Sequence, residues 1–216
     1  VRVEEPMVHV GLVFVGLILF VNGLVSLGRI PARSAAVLNL LVGGVQILLP
    51  TLIMVQAEGD HVLINDTWPS YLFGMTYLLV GLNTLFGFDA TAFGWFSSFV
   101  AGIAVYKALT SLDFDPVFAV IWLAWAIMWL CLFLQHALGV SRLGRIDLQR
   151  FAGWLLVSAG IPSSTVPALF AQNELWSTSG AAGLGTLLAL ASALCFSAWQ
   201  GSRMPKPAAS TGHLAA

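Results

Sequence analysis

The 216-residue chain predicts an all-α membrane protein: a six-helix bundle of three two-helix hairpins, followed by a seventh, C-terminal transmembrane helix. Three observations carry this expectation. Hydrophobic residues make up 58% and charged residues 9% of the chain, where a soluble domain carries about 25% charged residues. Continuous apolar runs near the ~20 residues that a helix needs to cross a bilayer fall at 8–28, 34–56, 69–87, 92–111, 116–139, 151–171 and 180–200. They do not alternate polar with apolar, which excludes a closed β-barrel. Finally, the fixed charges sort by side. Arg29 and Arg33 follow the first span, Arg142, Arg145 and Arg150 the fifth, and Arg203 and Lys206 the seventh. Alternating spans put all of these on one side and Glu58, Asp60, Asp66, Asp113, Asp115 and Glu174 on the other, with Arg2. The positive-inside bias then sets the N-terminus outside and the C-terminus in the cytoplasm, which needs an odd number of spans. The expected organisation is an N-terminal extension at 1–7, a six-span domain at 8–171, an external linker and seventh span at 172–200, and a disordered cytoplasmic tail at 201–216. No cleavable signal peptide is expected, because the first apolar run has no basic segment before it and no small-residue cleavage site.

The first span carries Leu12, Val15, Leu19 and Asn22 at helical spacing. A polar side chain in hydrocarbon must find a partner or water. Asn22 therefore reads either as an interhelical hydrogen bond or as an amide lining a pore. Pro31, inside the basic turn Arg29–Ser34, stops the helix. The second span holds Asn39, Gly43, Gly44 and Gln46, which allow close helix contact and suit a position behind a pore. The segment Ala57–Pro69 is the longest external connection and contains His61 among acids. His61 is expected to be solvated; the alternative is a group that titrates near neutral pH.

In the third span Met75, Leu79 and Asn83 recur every four residues, a stripe like that of the first span, with Tyr77 nearby. A weak repeat links the two spans. Leu27-Gly28 followed by Gly43 has a counterpart in Phe86-Gly87 followed by Gly102, an offset of 59 residues. Spans one and two would then superpose on three and four, with five and six as a third copy, and the odd spans would form the walls of a central pathway. Lys107, near the end of the fourth span and close to Asp113, is expected to snorkel to the external interface.

The fifth span places Trp122, Trp125 and Trp129 at i, i+3 and i+7, on one helical face. Belt tryptophans gather at the two interfaces, whereas these run through the middle of the span. The stripe reads either as packing and lipid contact or as a slot for a small polar solute. Span six interleaves Pro162 and Pro167 with Ser158, Ser163, Ser164 and Thr165, the composition of a bent helix able to face a cavity. Span seven is rich in small residues. Cys131 and Cys195 both fall inside spans and read as small apolar residues.

No span contains a carboxylate, so a proton or sodium relay has no obvious carrier. Walker-type loops, HExxH, paired cysteine ligands and a nucleophile beside an intramembrane base are all missing, so neither a cofactor nor a metal is expected. What remains is a neutral pathway of tryptophan, aliphatic groups, methionine and amides. It suits a small, flat, uncharged polar solute and rejects ions through the cost of leaving water.

Leu12-Val13-Phe14-Val15-Gly16 with Asn22-Gly23, Phe73-Gly74-Met75-Thr76-Tyr77-Leu78 with Asn83, and Ile121-Trp122-Leu123-Ala124-Trp125 with Trp129-Leu130 resemble the urea channel and amide transporter family of bacteria. The resemblance covers about 8–171. It implies passive permeation of urea or short amides through each protomer of a homohexamer in the cytoplasmic membrane, with three two-helix hairpins around the pore. It also implies a functional link to a cytoplasmic amidase or urease. Pore positions implied by the resemblance are Leu12, Val15, Leu19, Asn22, Met75, Leu79, Trp122, Trp125 and Trp129, with Tyr77 and Asn83 as secondary polar candidates and His61 as a possible pH sensor. The chain departs from the acid-gated urea channel in having Met75 and Leu79 where aromatic residues are expected, and Ala159 in place of a glutamate in span six. Its external loops are also poor in histidine. An ungated or weakly gated amide channel is therefore expected, the alternatives being a proton-gated urea channel that supplies a urease and a membrane subunit without transport activity.

Overall fold

The computed structural model describes residues 4–203, with side chains from His9 onward. The expected tail beyond Arg203, including Lys206, lies outside the described residues, as does Arg2. The chain runs α1 (Glu4–Ser26), α2 (Ala32–Gln56), α3 (His61–Thr67), α4 (Ser70–Phe86), α5 (Thr91–Ser111), α6 (Pro116–His136), β1 (Arg142–Leu143), β2 (Ile146–Asp147), α7 (Leu148–Ser163), α8 (Thr165–Gln172) and α9 (Gly180–Ser202). α1 thus begins inside the expected N-terminal extension.

Among the described residues, six segments are long and apolar enough to cross a membrane: α1 from His9, α2, α5, α6, the α7–α8 pair and α9. α4, the expected third span, has 17 residues, fewer than the ~20 of a perpendicular span.

Helix ends follow the local chemistry. Asp60, Asp115, Asp147 and Ser179 each accept a hydrogen bond from an amide in the first turn of the helix that follows. Gly87, at φ 68°, closes α4 in the left-handed conformation that glycine adopts without strain. Two connections are more ordered than expected: α3 fills the external segment, and β1 pairs antiparallel with β2 in the basic turn.

Close helix approach happens where a side chain is missing. A Cβ on Gly43 of α2 would lie 2.9 Å from the Leu78 nitrogen of α4, and one on Gly74 would lie 3.0 Å from the Gln46 carbonyl, so α2 and α4 pack antiparallel. Gly23 of α1 meets the Gly153 carbonyl of α7 in the same way, and Gly94 of α5 meets the Ala137 backbone just after α6. These three pairs are the most extensive in the molecule. The expected hairpins are therefore shifted by one helix: spans two with three, four with five, and six with one. α4 barely touches α5, and α6 touches α7 over a short stretch, so the bundle closes as the ring α1–α2–α4–α5–α6–α7. The glycines that let backbones meet lie on the faces that join these pairs and not on those that would join the expected hairpins. α9 stands outside the ring against α7 and α6.

The bend expected in span six is a full break. Ser164 leaves helical geometry at φ −128° and ψ −67°, separating α7 from α8. The Thr165 hydroxyl bridges the break to α1 by donating to the Val13 carbonyl at 2.9 Å.

Candidate functional site

Two cavities open inside the ring. The one called outer, after the expected orientation, is about 210 Å³ and lies between His9 and Leu12 of α1, Asp66 of α3, Lys107 of α5, and Trp122 and Trp125 of α6. The inner one, about 470 Å³, is walled by Leu19 and Asn22 of α1, Thr76, Tyr77 and Val80 of α4, Trp129 of α6 and Leu156 of α7. Phe73 and Trp125 line both, so the cavities meet at this pair.

The neck is an aromatic cluster. The Phe73 ring stands 5.0 Å from Trp125, 4.9 Å from Trp129 and 6.1 Å from Trp122, each edge-on or tilted. Trp122 and Trp125 are perpendicular at 4.9 Å, and Phe118 packs edge-on to both. Edge-to-face rings lock one another through their quadrupoles. Two indole nitrogens are tied down as well. Trp125 Nε1 donates to Ser163 Oγ at 3.0 Å, at the foot of the α7–α8 break, and Trp129 Nε1 donates to Thr76 Oγ1 at 3.3 Å. Trp122 Nε1 is buried and has no partner. An aromatic slot whose rings brace one another in this way can stack on a flat solute.

The expected site residues divide. Leu12 and Trp122 line the outer cavity, Leu19, Asn22, Tyr77 and Trp129 line the inner one, and Trp125 lines both. Val15 is wholly buried in the core beside them and lines neither. Met75 is 45% exposed on the outside of α4, and Leu79 and Asn83 also line neither cavity. The wall that α4 presents is instead Phe73, Thr76, Tyr77 and Val80, the i, i+3, i+4, i+7 set on another face of the same helix. Phe73 and Thr76 were missing from the expected set although their spacing was readable. His61 is exposed at the start of α3 and lines neither cavity.

Asn22 makes the expected interhelical hydrogen bond and also borders the inner cavity. Its amide exchanges two hydrogen bonds with Asn39 of α2, at 2.8 and 2.9 Å, while its side chain stays in the inner wall. Lys107 departs from expectation. It does not reach out to solvent but is 5% exposed, donating to the Asn65 carbonyl at 3.2 Å and to Asp66 Oδ1 at 3.3 Å. The cause is α3, which folds over the end of α5 and brings acceptors to the amine. Among the described residues no group of His, Cys, Asp and Glu is arranged to hold a metal ion.

A ring of apolar helices around two cavities joined at an uncharged aromatic neck defines a membrane channel or transporter for small solutes. The chain belongs to the AmiS/UreI family of transporters, whose family model matches residues 7–174. This is a family of transporters and channels, not of enzymes. The chain is 47% identical over 178 residues to the putative transporter protein AmiS2 of Rhodococcus erythropolis, covering 82% of this chain and 84% of that one. It is 41% identical over 172 residues to a putative amidate substrates transporter protein of Mycolicibacterium smegmatis, covering 78% of each. The crystal structure of the urea channel from the human gastric pathogen Helicobacter pylori superposes with a TM-score of 0.70 at 29% identity, covering 79% of this chain and 99% of that one.

Proposed function

We propose that the protein is a passive channel for small neutral amides, with urea as a second permeant and little or no acid gating. The observation that carries this reading is the neck, where Phe73 and Trp125 close an aromatic slot without an ionisable group. A planar amide exchanges water for ring faces there at little cost, whereas an ion loses its hydration uncompensated. Identity to a transporter described for amidate substrates is higher than identity to the solved urea channel, which favours amides. The superposition on that channel keeps urea as the second solute. Weak gating is supported by the neck itself, where Phe73 and Trp125 carry no titratable group.

The protein is read as a homohexamer in the bacterial cytoplasmic membrane, each protomer holding its own pathway and serving a cytoplasmic amidase or urease. Seven spans, with α4 crossing beside α2, put the N-terminus outside and the C-terminus inside. Light scattering on reconstituted vesicles tests the channel. Acetamide and urea should enter faster than into protein-free vesicles, with rates at pH 5 and pH 7.5 agreeing within about twofold. Rates equal to protein-free vesicles would refute the channel, and a steep rise in acid would replace the ungated version with the acid-gated urea channel.

A further inference from the structure

The family match stops at residue 174, yet the next stretch contributes to the outer cavity. Trp176, in the linker between α8 and α9, is in its wall. Its Nε1 donates to Asp115 Oδ2 at 2.9 Å. The other carboxylate oxygen of Asp115 accepts from the Phe118 amide at 2.9 Å, capping α6. One side chain thus starts the tryptophan helix and fastens the linker to it. The Trp176 ring stands edge-on to Phe118 at 6.3 Å, and Phe118 in turn contacts Trp122 and Trp125. α9 holds this arrangement from behind, because Gly183 sits so close to Pro116, the first residue of α6, that a Cβ there would come within 2.9 Å.

We infer that Trp176 is a specificity-determining residue of the outer mouth, selecting amides that carry a short alkyl group over urea, and that α9 serves to anchor it. This rests on the channel reading above. The aromatic track Trp176–Phe118–Trp122–Trp125–Phe73 begins at this ring. A solute of the acetamide or propionamide type sheds water from its alkyl end against Trp176 and Phe118 before its amide reaches the neck. Urea has no alkyl end and gains less.

The test is the ratio of propionamide to urea permeability in vesicles of the full chain, for the wild type, Trp176→Ala, Trp176→Phe and Asp115→Asn. Trp176→Ala should lower the ratio about two- to tenfold, the range one aromatic contact supplies. Trp176→Phe keeps a ring and should stay within about twofold of the wild type. Asp115→Asn keeps a good helix cap while weakening the tether, and should fall between them. Protein recovered per vesicle and its size-exclusion profile check that each variant folds. A wild type no faster than protein-free vesicles sinks the channel reading itself. An active wild type with an unchanged or raised ratio in Trp176→Ala overturns this inference alone, as does a Trp176→Phe ratio as low as that of the alanine variant.

Discussion

Ser163 and Ser164 are neighbours in the chain and both are buried, but their hydroxyls differ in what they do. Ser163 Oγ accepts the Trp125 indole N–H, while Ser164 Oγ has no partner. Ser163→Ala strands a buried donor beside the neck and should cost about 1–3 kcal/mol. Ser164→Ala removes an oxygen already desolvated without return and should be neutral or stabilising. Melting of the purified protein in detergent separates the two; equal shifts would mean that Ser163 does not hold the ring. The same neck shows how legible single residues were. Trp122, Trp125 and Trp129 announced their face because tryptophan is rare and the spacing strict. Phe73 and Thr76 are not picked out by the sequence, which favours Met75 and Leu79 with Tyr77 as a secondary candidate, because α4 is apolar over most of its surface. Where cavity and lipid are both apolar, periodicity cannot choose between faces. The Thr76 hydroxyl was the available clue, since a polar atom in such a helix needs a use, and it accepts from Trp129.

At the level of elements, adjacent glycines again separate a contact from a bystander. A Cβ on Gly43 would meet Leu78 Cγ at 2.8 Å and the Gly74 carbonyl at 3.0 Å, whereas one on Gly44 would meet nothing within 4 Å. Gly43→Ala should therefore push α2 from α4 and cost about 1–3 kcal/mol of overpacking. Gly44→Ala should leave stability unchanged or raise it by about 0.5–1 kcal/mol through helix propensity. Thermal unfolding in detergent reads both, and a Gly43→Ala variant as stable as the wild type would contradict the α2–α4 packing. Helix bounds were legible to within four residues because the bilayer imposes their length, and α4, at 17 residues, is the short one. Pairing was not. Glycine marks where backbones can meet but not which neighbour they meet, so a repeat read along the chain gave hairpins displaced by one helix from the pairs that pack. The α7–α8 break was visible in Pro162 and Pro167, while α3 and the β1–β2 ladder were not, since seven and four residues in polar loops carry little periodic signal.

On the scale of the whole molecule, charge and packing agree on two distinct ends. Arg29, Asp147 and Arg150 border one shallow cleft beside Ser26, and the end of α9 reaches the same place, with Gly201 against Ile146 and Phe151. Lys107 with Asp66, and Asp115 with Trp176, mark the opposite end. That separation follows from alternating spans, and the bias of arginine toward the cytoplasm converts it into an orientation. Parity then depends on two crossings, the short α4 and the outlying α9, and a single set of labels tests both. In a background carrying Cys131→Ser and Cys195→Ser, exposed positions Asp113→Cys, Arg142→Cys and Ser202→Cys can each be probed with a membrane-impermeant maleimide. Asp113→Cys should label in intact cells, whereas Arg142→Cys and Ser202→Cys should label only after permeabilisation. Reversed labelling would invert the orientation. Labelling of Ser202→Cys from outside, with Arg142→Cys still protected, would mean that α9 returns without crossing. Trp176 would then be held by a helix lying on the outer surface, and the cytoplasmic C-terminus would fall with it.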